Sequence, residues 1–139
     1  MSERKVGSCG CGAVRFKTSA SLREVIYCHC SQCRKQSGHF YAATNVSEAE
    51  LELEGTASIT WYRSSDVARR GYCRICGSAL FWKHDGLDTI SVMAGAFDTP
   101  SGLAGGSHIF VSDKGDYYSI DDGLPQFPRS TPTVAVAES

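Results

Sequence analysis

Seven cysteines carry the most specific chemical signal in the chain, and they fall in three groups. Cys9 and Cys11 form C-x-C; Cys28, Cys30 and Cys33 form C-x-C-x-x-C; Cys73 and Cys76 form C-x-x-C, with Gly77 immediately after. An odd number cannot pair fully in internal disulfides. Thiolates at such spacings suit zinc, which takes about four soft ligands in a tetrahedron with sulfur at ~2.3 Å. Residues two apart on a strand share a face, so Cys9 and Cys11 are expected to reach one ion. The Cys73–Cys76 turn, resembling a zinc knuckle, brings two more sulfurs together. These four make a closed, structural site that clamps the N-terminal region to the middle of the chain, where a long loop is closed. Cys28, Cys30 and Cys33 leave one position of a second zinc open, the arrangement of catalytic or ligand-binding sites. The seven thus divide as four plus three. Two other readings stay open for the trio. It is a reversible thiol–disulfide switch, since C-x-x-C supports one, or Cys33 serves the closed site instead.

Basic residues flank these motifs. Arg34 and Lys35 follow Cys33, and Arg69, Arg70 and Arg74 surround Cys73. They offset thiolate charge or clamp carboxylates, or they are solvated surface groups. His29 lies between two candidate ligands and, on a strand, points to the opposite face. His39, His84 and His108 have no partner at ligand spacing, which suits supporting or core positions. Trp61, Trp82, Tyr117 and Tyr118 read as core or cleft walls.

The elements that hold these residues read as short strands. Expected strands cover residues 13–17, 25–27, 40–43, 58–63, 67–72, 79–82, 89–93, 108–111 and 117–120, each alternating or rich in β-branched and aromatic residues. Glu48, Glu50, Glu52 and Glu54 alternate with apolar residues and read as a strand with a charged, exposed face that discourages edge pairing. Residues 31–37 suit a helical turn closed by Gly38, and Asp85-Gly86 and residues 112–115 read as turns. With no long amphipathic helix, the chain is expected to be mainly β: a zinc-stapled complex of β-hairpins and small sheets. Residues 5–128 read as one domain and 129–139 as a tail.

Composition narrows the function classes. The chain has 139 residues with 42% apolar and 21% charged, the balance of a globular protein. Fourteen Lys and Arg against fifteen Asp and Glu give a net charge of −1, which argues against a nucleic-acid binder. No apolar run follows the charged first residues and no window approaches a membrane span. A cytoplasmic, reducing location is expected, where clustered cysteines bind metal or do redox work. Oligomeric state is not legible.

The segment Gly7-Ser8-Cys9-Gly10-Cys11-Gly12-Ala13-Val14-Arg15-Phe16 resembles the opening signature of the glutathione-dependent formaldehyde-activating enzymes, which share a domain with centromere protein V. The resemblance continues through Cys28-His29-Cys30-Ser31-Gln32-Cys33-Arg34-Lys35, Cys73-Arg74-Ile75-Cys76-Gly77-Ser78, residues 108–114 and Asp122-Gly123-Leu124-Pro125-Gln126-Phe127. It implies a β-rich fold similar to the mammalian suppressor of Sec four proteins. It also implies a structural zinc on Cys9, Cys11, Cys73 and Cys76 and a second zinc on Cys28, Cys30 and Cys33. The implied activity is formation of S-(hydroxymethyl)glutathione from formaldehyde and glutathione, so the class is a carbon–sulfur lyase with glutathione as small-molecule partner. The alternative is a non-catalytic zinc-stapled module that binds a thiol or docks another protein.

Overall fold

Ten strands and one α-helix, joined by short 3-10 turns, make up the described residues, 4–130, of a computed structural model. The strands are β1 (Lys5–Ser8), β2 (Arg15–Thr18), β3 (Val25–Cys28), β4 (Tyr41–Ser47), β5 (Glu52–Glu54), β6 (Ile59–Arg63), β7 (Ala68–Cys73), β8 (Ala79–His84), β9 (Thr89–Met93) and β10 (Gly105–Ile109); the helix is α1 (Ser31–Ser37). Three strands form a small antiparallel sheet in the order β1-β2-β5. Seven form a larger one in the order β10-β3-β4-β9-β8-β7-β6, antiparallel except for β10 beside β3. The mainly β expectation holds, and the meander from β6 to β9 follows the apolar runs read from sequence.

The register of the large sheet assigns a job to each face. Gly71, Phe81, Val92 and Thr44 stand in one cross-strand row. Phe81 and Val92 belong to the main core with Phe16, Val14 and Leu80. Phe16, from the small sheet, meets Phe81 edge-on at 6.1 Å and Phe97 at 5.0 Å. Gly7 pairs with Phe16, and a Cβ there would fall 2.3 Å from the Ala96 carbonyl oxygen and 2.4 Å from the Phe16 ring. Only glycine lets β1 approach so closely. The adjacent row, Arg70, Trp82, Ser91 and Asn45, faces the other way. Period-two alternation puts Cys28, Ile26, Tyr41, Ala43 and Met93 on that same second face.

Helix α1 covers this second face. Cys30 caps its start, accepting from the Cys33 N–H at 3.3 Å, and Gly38 ends it with φ 84° and an N–H donated to the Arg34 carbonyl. Gln32 donates to the Ser64 carbonyl at 2.7 Å, which pins the helix to the β6–β7 turn. A second core cluster lies beneath it, built from Cys30, Cys33, Tyr41, Met93, Ile109 and Phe110.

Three local expectations are corrected. Glu48–Glu50 form a 3-10 turn and only Glu52–Glu54 a strand, so the four carboxylates do not share one face. Glu48 instead pairs with buried Lys83 at 3.6 Å. Residues 117–120 pair with no strand; their aromatic rings pack against the histidines described below. Cys9 and Cys11 occupy the β1–β2 turn rather than one strand face, and β1 itself was not anticipated. Of the expected tail, Arg129 and Ser130 are described, and the Arg129 carbonyl accepts from the Phe110 N–H at 3.2 Å; the remainder lies outside the described residues. No helix among the described residues is long and apolar enough to cross a membrane.

Candidate functional site

Two tight turns bring the first cysteine set together. The β1–β2 turn is closed by the Cys9 N–H on the Val14 carbonyl at 3.0 Å and carries Cys9 and Cys11. The turn after β7 carries Cys73 and Cys76, closed by the Gly77 N–H on the Cys73 carbonyl at 2.8 Å. Gly77 adopts φ 81°, a left-handed conformation that side chains resist. The backbone N–H groups of Ile75 and Cys76 point at the Cys73 sulfur at 3.4 and 3.5 Å. Gly10 donates to the Ser78 hydroxyl at 2.9 Å and ties the two turns to each other.

The four sulfurs lie within 4.8 Å of one another, with Cys9 to Cys11 at 3.6 Å and Cys11 to Cys73 at 3.8 Å. A tetrahedron of sulfurs ~2.3 Å from a central ion has edges of ~3.8 Å, so the spacing fits zinc. The Ser78 hydroxyl, helped by backbone N–H groups, holds the Cys76 thiol down to about 5. Cys11 goes the other way: a backbone hydrogen bond near Ala13 favours its thiolate, but burial and its sulfur neighbours push it up to about 11. Protein groups alone do not ionise the whole set, and a cation at its centre would.

The second set comes from one short stretch. Cys28 ends β3, Cys30 precedes α1 and Cys33 lies in its first turn, and their sulfurs fall within 4.8 Å of one another. Hydrogen bonding to Cys30 and then Cys33, with burial, drives the Cys28 thiol far above its usual range. Cys33 gains from the Cys28 hydrogen bond but is pushed up to about 11 by Cys30 and burial. Three adjacent sulfurs, two buried and one half-buried, resist joint ionisation until a cation arrives. The three sulfurs could hold a metal ion.

Arg70 is the cation this set already has. It is 1% exposed, and its Nη1 and Nη2 lie 3.5 and 3.6 Å from the Cys33 sulfur. Its guanidinium lies over the Tyr41 ring at 4.7 Å and reaches Gln32 at 3.4 Å. Its Nε is buried without a hydrogen-bond partner. Beside it, on the second face of the large sheet, is a cavity of about 70 Å³ lined by Cys28, Cys33, Arg70, Trp82, Met93 and Arg23, among others.

On the side away from the sulfurs, His29 joins a buried chain of polar groups. His29 is fully buried and His108 nearly so. His29 Nδ1 meets the Tyr118 hydroxyl, His29 Nε2 lies 2.8 Å from His108 Nδ1, and His108 Nε2 lies 2.8 Å from Asp122 Oδ2. The Asp122 carboxylate only accepts, so His108 Nε2 donates to it. With both rings neutral, His108 Nδ1 then accepts from His29 Nε2, and His29 Nδ1 accepts from Tyr118. Burial, reinforced by His108, lowers His29 to about 4, so its ring is neutral at pH 7. The chain ties residues 118–122 to the Cys28–Cys30 loop.

The structure brings together both expected cysteine groups, as four and three. His29 turns away from the sulfurs, as its place between two ligands implied. Of the five flanking cations, Arg70 alone among the described residues contacts a sulfur; Arg74 is exposed and donates to the Ala57 carbonyl. Arg23 in the cavity wall carried no motif signal; Asp122 opens the Asp122–Phe127 stretch of the family resemblance, but nothing local showed that it meets His108.

A mainly β scaffold built around two cysteine clusters, one beside a cavity, defines the class. The chain belongs to the glutathione-dependent formaldehyde-activating enzyme family, whose profile of that description matches residues 4–113. It is 24% identical over 122 residues to an uncharacterized lyase of Schizosaccharomyces pombe, covering 87% of this chain and 88% of the relative. It is 31% identical over 130 residues to a Halomonas elongata protein provisionally named a glutathione-dependent formaldehyde-activating enzyme, covering 83% and 80%. A crystal structure of a Rhodobacter sphaeroides protein shares the fold at TM-score 0.54 and 20% identity, covering 88% of this chain and 98% of that one.

Proposed function

We propose that the chain is a zinc-dependent carbon–sulfur lyase of the S-(hydroxymethyl)glutathione synthase type, interconverting a thiol plus an aldehyde with their hemithioacetal. The observation that carries this reading is the three-sulfur cluster of Cys28, Cys30 and Cys33 at the wall of a cavity, one donor short of a closed tetrahedron. The family and the relatives' names, a lyase and a formaldehyde-activating enzyme, support the same class.

In this reading residues 5–128 form one domain, in a reducing cytoplasm, with one zinc held by Cys9, Cys11, Cys73 and Cys76 and another by Cys28, Cys30 and Cys33. The second zinc supplies, when bound, a positive centre that keeps a fourth sulfur ligand as thiolate. Arg70 offsets the negative charge of the cysteine thiolates through Cys33. Tyr41 and Trp82 wall the cavity and limit water there. The histidine chain holds the Cys28–Cys30 loop in place. In the addition, a carbon–sulfur bond forms between thiol and carbonyl carbon, and the thiol proton ends on the former carbonyl oxygen.

Exchange NMR of glutathione and formaldehyde at equilibrium tests the proposal. Interconversion is expected to be faster with the zinc-loaded protein than with its Cys30→Ser variant. Equal rates overturn the enzyme reading, and glutathione binding without acceleration identifies a thiol carrier instead.

A further inference from the structure

The cavity next to Cys28 and Cys33 contains a charge that the proposed thiol–aldehyde chemistry does not use. Arg23 lines it from the segment before β3, half-buried. Its Nη2 donates to the Ala43 carbonyl at 2.9 Å and its Nε to the Glu24 carbonyl at 3.2 Å. Arg23 makes no ion pair with a carboxylate among the described residues, and burial lowers its guanidinium to about 10. Across the same cavity, Arg70 is engaged by Cys33 on one side while its buried Nε has no partner. In a wall that also holds Cys28, Cys33 and Ser91 among apolar and aromatic side chains, Arg70 is engaged by Cys33, while Arg23 has no carboxylate partner among the described residues. A partly desolvated cation of this kind is stabilised by an anion that enters the site.

Strand register places the Arg23 anchor close to the cysteine set: Ala43, whose carbonyl holds Arg23, pairs with Ile26, and Tyr41, two residues along the same strand, pairs with Cys28. The cavity beside them is small, about 70 Å³.

We infer that this cavity is an acceptor pocket for a small aldehyde or ketone bearing a carboxylate, whose carboxylate is held by Arg23. The inference rests on the lyase reading and narrows its carbonyl substrate. The step balances without an oxidant: the thiol sulfur bonds to the carbonyl carbon, the carbonyl π bond opens, and the thiol proton ends on its oxygen.

Binding and turnover separate this inference from the reading beneath it. Glycolate, an unreactive two-carbon acid, is titrated into zinc-loaded protein while the Trp82 indole resonance is followed by NMR. Saturable perturbation is expected, weakened at least tenfold in Arg23→Leu and largely restored in Arg23→Lys, with thermal unfolding confirming that the variants are folded. No saturable perturbation, or equal binding by Arg23→Leu, overturns the pocket whatever the activity. Glutathione and glycolate are expected to bind together; mutual exclusion overturns the inference by assigning Arg23 to a carboxylate of the thiol. In exchange NMR, the glyoxylate adduct of glutathione is expected to be accelerated more than the formaldehyde adduct, and Arg23→Leu to remove that difference. Equal acceleration of both adducts overturns the acceptor role. Acceleration of neither, with glycolate binding intact, overturns the lyase reading and leaves the carboxylate pocket standing.

Discussion

Arg70 shows how one side chain acquires a role that its neighbours in sequence do not share. It sits in a run of cations before Cys73, yet strand alternation sends it to the opposite side of the sheet from Gly71 and into contact with Cys33. Arg70→Met removes the positive charge that favours the Cys33 thiolate. The second site is expected to hold zinc roughly 10–100-fold more weakly, measured by chelator competition, while the first site is unchanged. In metal-free protein the midpoint of Cys33 alkylation is expected to move to higher pH. Asp122 gives the complementary case in acid. The Leu124 N–H and His108 hold its carboxyl below its ordinary value. A carboxyl lowered in the fold contributes stability above its unfolded value near 4, and that contribution disappears as pH falls through the folded value. The melting-temperature gap between the natural chain and Asp122→Asn is therefore expected to be full at pH 6 and to close in acid below pH 4, read by thermal unfolding.

At the scale of elements, two glycines test two different constraints. Gly77 has open space around its Cα and a φ of 81°, so Gly77→Ala meets only the backbone penalty, about 1 kcal/mol. Gly7 has an ordinary φ but no room, because β1 lies against the Phe16 ring and the Ala96 carbonyl. Gly7→Ala forces strands apart and is expected to cost more, in the range of about 1–3 kcal/mol. Urea unfolding of the two variants checks the order, and a larger loss at Gly77 would contradict this account. The strand elements themselves were mostly visible in sequence, since apolar alternation is local. The stretch from Glu48 misled because alternating carboxylates fit a strand and a 3-10 turn equally well; the pairing of Glu48 with buried Lys83 decides the turn. Residues 117–120 look like a strand for the same reason, and they lack one because their rings are used against His29 and His39.

For the whole molecule, the two cysteine sets differ in the loops they close. Cys11 and Cys73 are 62 residues apart, whereas Cys28, Cys30 and Cys33 lie within one short stretch. Loop-closure entropy grows as (3/2)RT ln n, so a metal at the first set contributes on the order of 2 kcal/mol more to stability through this effect. Metal analysis is expected to give two zincs per chain. Cys11→Ser is expected to lower the urea midpoint markedly, and Cys30→Ser to lose one zinc with a much smaller shift. The reverse order would place the structural metal at the wrong set.

The three cysteine motifs and their suitability as ligands were legible in sequence, because spacing within a turn is a short-range property that backbone geometry enforces wherever the turn is placed; the fold decided that C-x-C meets C-x-x-C across 62 residues and that Cys33 stays with Cys28 and Cys30. The β-dominated class followed from local alternation in the same way. Only tertiary structure decided what surrounds the three-sulfur set. Arg70 reaches Cys33 over 37 residues, His29 reaches Tyr118 over 89, and Arg23 meets the cavity through a carbonyl on the neighbouring strand. Those meetings depend on strand order and register, which arise from burying the Phe16–Phe81 core and which no local pattern encodes.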